Sequence, residues 1–69
     1  MEMTEVESSH IEAIGYDSGV QQVRVRFKGG ATYVYYDVPA NIANNFIEAE
    51  SVGEYLNEHI KGEYRYEKV

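Results

Sequence analysis

Two strand-like runs meet at a pair of glycines, and that junction constrains the fold more than any other feature of the chain. Gln22-Val-Arg-Val-Arg-Phe-Lys28 alternates polar and apolar residues without a break, Gly29-Gly30 follows, and Ala31-Thr-Tyr-Val-Tyr-Tyr-Asp-Val38 runs on to the single proline, Pro39. Strict alternation marks a strand with one buried face. Two strands joined by Gly-Gly read as a hairpin on a two-residue primed turn, whose central residues both need positive φ. This turn predicts Lys28 opposite Ala31, and then Phe27 with Thr32, Arg26 with Tyr33, Val25 with Val34, Arg24 with Tyr35 and Val23 with Tyr36. One face would carry Val23, Val25, Phe27, Val34, Tyr36 and Val38 as the core, and the other Arg24, Arg26, Lys28, Tyr33 and Tyr35. A slip of one residue would reverse the assignment for the whole second strand.

Around this hairpin the remaining elements fall into place. Ser9 to Asp17 reads as a preceding strand ending in the turn cluster Asp17-Ser18-Gly19. Ile11 and Ile14 do not share a period-two face, which predicts a bulge or a late start near Ala13. Pro39 is expected at the first position of a helix, where its missing amide hydrogen is harmless. From Pro39 to Glu50 the apolar residues Ile42, Ala43, Phe46, Ile47 and Ala49 form one stripe. Ser51, three residues before Glu54, has the spacing of a capping box opening a second helix, with Val52, Tyr55, Leu56, His59 and Ile60 on its apolar side and Gly62 as its stop. The tail from Glu63 to Val69 alternates again, as for a short fourth strand or for packing Tyr64 against the sheet. The expected fold is therefore α+β: a three-stranded antiparallel sheet, with room for a short fourth strand, and two helices packed on one face.

Composition limits what such a domain can do. At 69 residues there is room for one domain burying about 60% of its unfolded surface. With two Phe and no Trp, seven tyrosines must both pack and find hydrogen bonds. The absence of cysteine excludes disulfides, thiolate metal sites and a cysteine nucleophile, and suits the cytoplasm. The acidic start has neither the basic nor the apolar region of a signal peptide, and no apolar run is long enough for a membrane. Twelve acidic against six basic residues give a net charge of −6, which disfavours non-specific binding to polyanions.

No reaction chemistry stands out. Ser9 and His10 are adjacent on a strand-like segment and point apart, so they do not form a nucleophile and base. His10 and His59 have no ligand spacing with neighbouring carboxylates, and His59, on the apolar stripe, reads as a packing residue. Neither a metal nor another cofactor is implied, and paired glutamates are commonplace in so acidic a chain. Two surfaces remain. Arg24, Arg26, Tyr33 and Tyr35 would form a platform of rings and guanidinium groups for stacking bases, each worth about 1–3 kcal/mol. The same cross-strand pairs would equally serve to stabilise a bare sheet face, or to bury it against another copy in a homo-oligomer. Gly53, in the first helical turn where glycine costs about 1 kcal/mol relative to alanine, marks either close packing against strand one or Tyr16, or an approach route for an anion. Asn57 lies on the polar side of that helix.

The ordered set Val6, Ser8-Ser9, Ile11, Ile14-Gly-Tyr-Asp17, Tyr33-Val-Tyr35, Val38-Pro39 and Ser51-Val-Gly-Glu-Tyr-Leu-Asn57 resembles the KTSC domain, a small bacterial and phage domain also found at the C-terminus of some lysyl-tRNA synthetases. The family's Tyr-x-Tyr motif maps onto Tyr33 and Tyr35, and its Ser-x-Gly-x-Tyr-x-Asn pattern onto Ser51, Gly53, Tyr55 and Asn57. The likeness spans about residues 6–66, leaving short tails at 1–5 and 67–69, and it implies a domain for which RNA binding has been suggested and no catalytic residues. The expectation is a non-catalytic module for RNA or single-stranded nucleic acid, acting through Arg24, Arg26, Tyr33, Tyr35, Gly53 and Asn57. The alternatives are a binder of a small nucleotide-like ligand and a self-associating interaction protein.

Overall fold

The computed structural model describes residues 3–69. Its central hairpin joins β3 (Gln22–Phe27) to β4 (Thr32–Tyr35), and the junction differs from the expected two-residue turn. The Phe27 amide donates to the Ala31 carbonyl at 2.8 Å, the Gly30 amide donates to the Phe27 carbonyl at 2.9 Å, and of the two glycines only Gly30 has positive φ, +100°. Lys28, Gly29 and Gly30 thus form a three-residue connection closed by a glycine in the left-handed region, the other common hairpin solution. The register is one residue away from that expected: Arg26 faces Thr32, Val25 faces Tyr33, Arg24 faces Val34 and Val23 faces Tyr35.

Because side chains alternate, that single step turns β4 over. Tyr33 and Tyr35 join Val23 and Val25 on the face that the helices cover, while Val34 shares the outer face with Arg24 and Arg26. Tyr36, expected in the core, lies instead beneath Arg65, whose guanidinium carbon sits 4.9 Å from the ring centroid.

Among the described residues the sheet has five antiparallel strands in the order β1-β2-β3-β4-β5, against the three or four expected. β2 (Ile11–Asp17) carries the anticipated bulge: Ile11 faces Phe27 and Ala13 faces Arg26, leaving Glu12 as the extra residue. The bulge lets Ile11 and Ile14, three apart, both reach the core. The two additional strands come from segments expected wholly or partly as tails. β1 (Met3–Glu5) pairs with β2, and β5 (Tyr66–Lys68) pairs with β4. Each is a three-residue edge.

Tyr16 donates its hydroxyl hydrogen to the Val38 carbonyl at 2.6 Å, tying the end of β2 to the chain that enters the first helix. Pro39 is the N-cap of α1 (Ala40–Ile47), one place before the position expected, and the helix stops at Ile47 rather than running to Glu50. Ser51 caps α2 (Val52–Tyr55) as the capping spacing requires, its hydroxyl oxygen accepting the Glu54 amide at 3.4 Å. The chain continues directly into a π-helical turn, Leu56–Ile60, and then reaches Gly62 at φ +87°.

The π turn has a geometric purpose. Residues four apart drift around a 3.6-residue helix, whereas the wider π turn winds them back. Val52, Leu56 and Ile60 consequently all stay in the core. That core is completed by Ile11, Ile14, Val23, Val25, Tyr35, Val38, Ala43 and Phe46, all buried on the helix side of the sheet. Tyr64 packs against it from the tail, as one reading of the tail anticipated. Among the described residues, no helix is long and apolar enough to cross a membrane.

Candidate functional site: a tyrosine-lined cavity

The reversal of β4 determines the site. Tyr33 and Tyr35, facing the helices, form part of a cavity of about 520 Å³ between the β4–β5 side of the sheet and the helical segment 52–61. Gly53, Asn57 and Lys61, spaced four apart, line its opposite wall. The π turn that keeps Val52, Leu56 and Ile60 in the core also keeps this neighbouring row turned toward the cavity.

Aromatic rings dominate the sheet wall. Phe27 meets Tyr33 edge to face at 5.6 Å, and Tyr66 on β5 bridges the two motif tyrosines, with centroids 5.7 Å from Tyr33 and 5.6 Å from Tyr35. Tyr35 is buried to 3% exposure at the cavity floor, whereas Tyr66 is 52% exposed at its rim. Burial, reinforced by the neighbouring Tyr66 and Tyr33, pushes the Tyr35 phenol above its ordinary pKa and holds it as a neutral hydroxyl at physiological pH. Beyond the tyrosine hydroxyls, polar side chains are few: the Asn57 amide and the Lys61 ammonium on the helical side, and His10 at the end that leads into β2. Lys68 stands across from Tyr33 on the same face of the sheet.

Of the six residues expected to bind, Tyr33, Tyr35, Gly53 and Asn57 therefore converge on one cavity, and Arg24 and Arg26 lie on the opposite face of the sheet. The proposed platform of alternating rings and guanidinium groups does not exist, because the hairpin register separates them. Arg26 instead reaches the bulge residue Glu12 at 3.3 Å, with both side chains about half exposed. Such a pair adds little stability. The Arg24 Nε is buried without a hydrogen-bond partner.

Gly53 is not explained by close packing against β2 or Tyr16. A Cβ built at this position would meet no atom within 4 Å, so the glycine faces open space. His59, expected as a packing histidine, is about half exposed; it lies over the Tyr55 ring at 4.5 Å, and its Nε2 is 3.8 Å from the Glu58 carboxylate. No cluster of three or more metal-ligating side chains occurs among the described residues.

Sequence reasoning did not single out Tyr66, Lys61 or His10 for binding, and it assigned Phe27 only to the core. Tyr66 had a signal in the alternation of Tyr64-Arg-Tyr66, which placed a strand there without saying which face it would present. Lys61 could have been found from the four-residue spacing of Gly53 and Asn57 extended by one more step.

Comparison with known proteins agrees with this architecture. A KTSC domain protein from Yersinia pestis has a crystal structure that superposes with a TM-score of 0.92 at 35% identity, covering 99% of this chain and 96% of that one. A protein from Tsukamurella paurometabola is 48% identical over 63 residues, which are 91% of this chain and 94% of its own length. A lysine–tRNA ligase from Trichormus variabilis is 33% identical over 91% of this chain, a match spanning 11% of the ligase. The profile of the KTSC domain matches residues 7–64, from the loop before β2 to the tyrosine just before β5. By fold and by sequence, the chain belongs to the KTSC domain family.

Proposed function

We propose that this protein is a small, non-catalytic binding module that takes a single nucleobase into the tyrosine-lined cavity, from single-stranded RNA or from a free nucleotide. The observation that carries this reading is the convergence of Phe27, Tyr33, Tyr35 and Tyr66 on one cavity of about 520 Å³ that also contains Asn57 and Lys61. A flat ring can stack against tyrosine, the Asn57 amide offers a donor and an acceptor to a base edge, and Lys61 offers a cation to a phosphate.

The net charge of −6 weighs against a long strand tracked along a basic groove and favours recognition of one nucleotide at a time. With Lys61 and His10 lining the cavity and Lys68 across from Tyr33 on the same face of the sheet, the salt dependence should be shallow. The likeness to a segment of lysine–tRNA ligases supports RNA as the source of the base. A cysteine-free chain suits work in the cytoplasm, where we place it.

The test is an equilibrium titration with labelled single-stranded oligoribonucleotide, bulk tRNA and mononucleotides, at low and at physiological salt. Saturable binding that the Asn57→Ala protein loses and the Arg24→Ala/Arg26→Ala protein keeps supports the cavity. Binding lost only with the arginines would move recognition to the outer face, and no binding at low salt would discard the reading.

A further inference from the structure

Adjoining the tyrosine-lined cavity is a second, open one of about 320 Å³, lined in part by Glu7, Ser8, Ser9, Glu50, Ser51 and Glu54. The two cavities share His10, Gly53 and Asn57. Gly53 thus stands on a saddle between an aromatic chamber and a hydroxyl- and carboxylate-lined one, at a place where an added Cβ would enter empty space. The chemistry of the second chamber is selective. The Ser8 hydroxyl oxygen already accepts the amides of His10 and Ile11, each at 3.2 Å, and the Ser51 oxygen accepts that of Glu54 at 3.4 Å, leaving their hydrogens to donate. The carboxylates can only accept. A phosphate, negatively charged and accepting, is repelled there, whereas a sugar hydroxyl, which both donates and accepts, is satisfied.

Resting on the nucleobase reading above, we infer that the second chamber reads the ribose: the base occupies the aromatic cavity, the sugar crosses the Gly53 saddle to the serine and glutamate side chains, and the phosphate stays toward Lys61. The module would then distinguish ribonucleotides from deoxyribonucleotides through the 2′-hydroxyl, the group by which a protein tells RNA from DNA. Carboxylate acceptance of a ribose hydroxyl is an established way of reading that sugar.

The experiment compares adenosine and deoxyadenosine monophosphates, and short oligoadenylates with their deoxy counterparts, on the intact protein and on two variants. Gly53→Ala places a methyl group on the saddle; it occupies helical backbone with open space beside it, so the variant should fold and melt at or above the wild-type temperature. Glu50→Gln/Glu54→Gln retains shape and removes the charged acceptors. The expected result is a preference for the ribose form of about tenfold or more, in keeping with a hydrogen bond to a charged acceptor, that falls to near unity in both variants. Equal affinity of wild-type protein for the ribose and deoxyribose forms would overturn this inference while leaving the base cavity standing. Failure of every probe to bind would overturn both. The monomer and oligomer arms show whether the ribonucleotide is read free or within a strand.

Discussion

Replacing Tyr66 by alanine should separate binding from folding in a way that neither motif tyrosine can. Tyr66 sits on an edge strand, is 52% exposed, and has ring contacts with Tyr33 at 5.7 Å and Tyr35 at 5.6 Å. Aromatic pairs contribute about 0.5–1.5 kcal/mol each when well buried. With half of the ring in water the loss should be about 1 kcal/mol in total, or about 4–8 °C in Tm for a domain of this size. Tyr35 differs: at 3% exposure its truncation belongs with large aromatic-to-alanine changes in cores, which cost about 3–5 kcal/mol. That could exceed half the stability of a small domain. In binding, Tyr66→Ala removes one wall of the cavity, and loss of a base-stacking partner is worth about 1–3 kcal/mol, or about 5- to 150-fold in Kd. The assay is titration with a fluorescent oligoribonucleotide, alongside thermal melting monitored by circular dichroism. A Tyr66→Ala protein that melts a few degrees lower and still binds with wild-type affinity would refute the assignment of recognition to this cavity.

Further outcomes follow from the turns, the caps and the buried phenol. Gly30→Ala forces an L-residue into a left-handed conformation with no new contact to offset it, and should lower stability by about 1–2 kcal/mol, whereas Gly29→Ala, whose φ is not positive, should be neutral or stabilising. Equal losses at both positions in urea unfolding would restore the two-residue turn. Ser51→Ala removes the acceptor for the Glu54 amide and should cost about 0.5–2 kcal/mol by the same measurement; an unchanged midpoint would mean the cap contributes nothing. For Tyr35, the folded-state pKa lies above the unfolded value of 10.0, so its contribution is complete below pH 10 and is lost as pH rises from there through the folded pKa. Tyr35→Phe should flatten the alkaline limb of the stability curve; an identical limb in both proteins would rule out Tyr35 as its source.

The hairpin shows where the sequence was legible and where it was silent. β3 was readable because Val23, Val25 and Phe27 alternate with Gln22, Arg24 and Arg26, leaving one arrangement that buries the apolar set. β4 gave no such guidance: Tyr33, Val34, Tyr35 and Tyr36 are apolar or aromatic at both parities, so either face could have been buried. The decision fell to a Gly-Gly pair that fits two connection lengths, and one residue of difference carried Tyr33 and Tyr35 from the outer face to the cavity. The bulge in β2 could be anticipated because Ile11 and Ile14 were out of phase. β1 and β5 could not be read as firmly, since three residues show too little periodicity to register and their order comes from pairing with a neighbour. The helical row Val52, Leu56, Ile60 was recognised, but the π turn that holds it in phase, and brings Gly53, Asn57 and Lys61 into phase as well, has no simple sequence signature.

β5 is a three-residue edge, yet it supplies Tyr66 to the rim of the cavity. Edge segments with few contacts open locally at free energies far below that of global unfolding. Opening of β5 would therefore remove one wall of the proposed binding site, and measured affinity would equal intrinsic affinity multiplied by the fraction of time the strand is docked. A ligand that stacks on Tyr66 would in turn hold β5 on the sheet, so occupancy should be visible as slowed amide exchange at Tyr36 and Val69, whose N–H groups donate to Arg65 and Thr32 on either side of the β4–β5 pairing. If the cavity binds as proposed, β5 would serve as a latch whose closing and whose ligand occupancy are thermodynamically coupled.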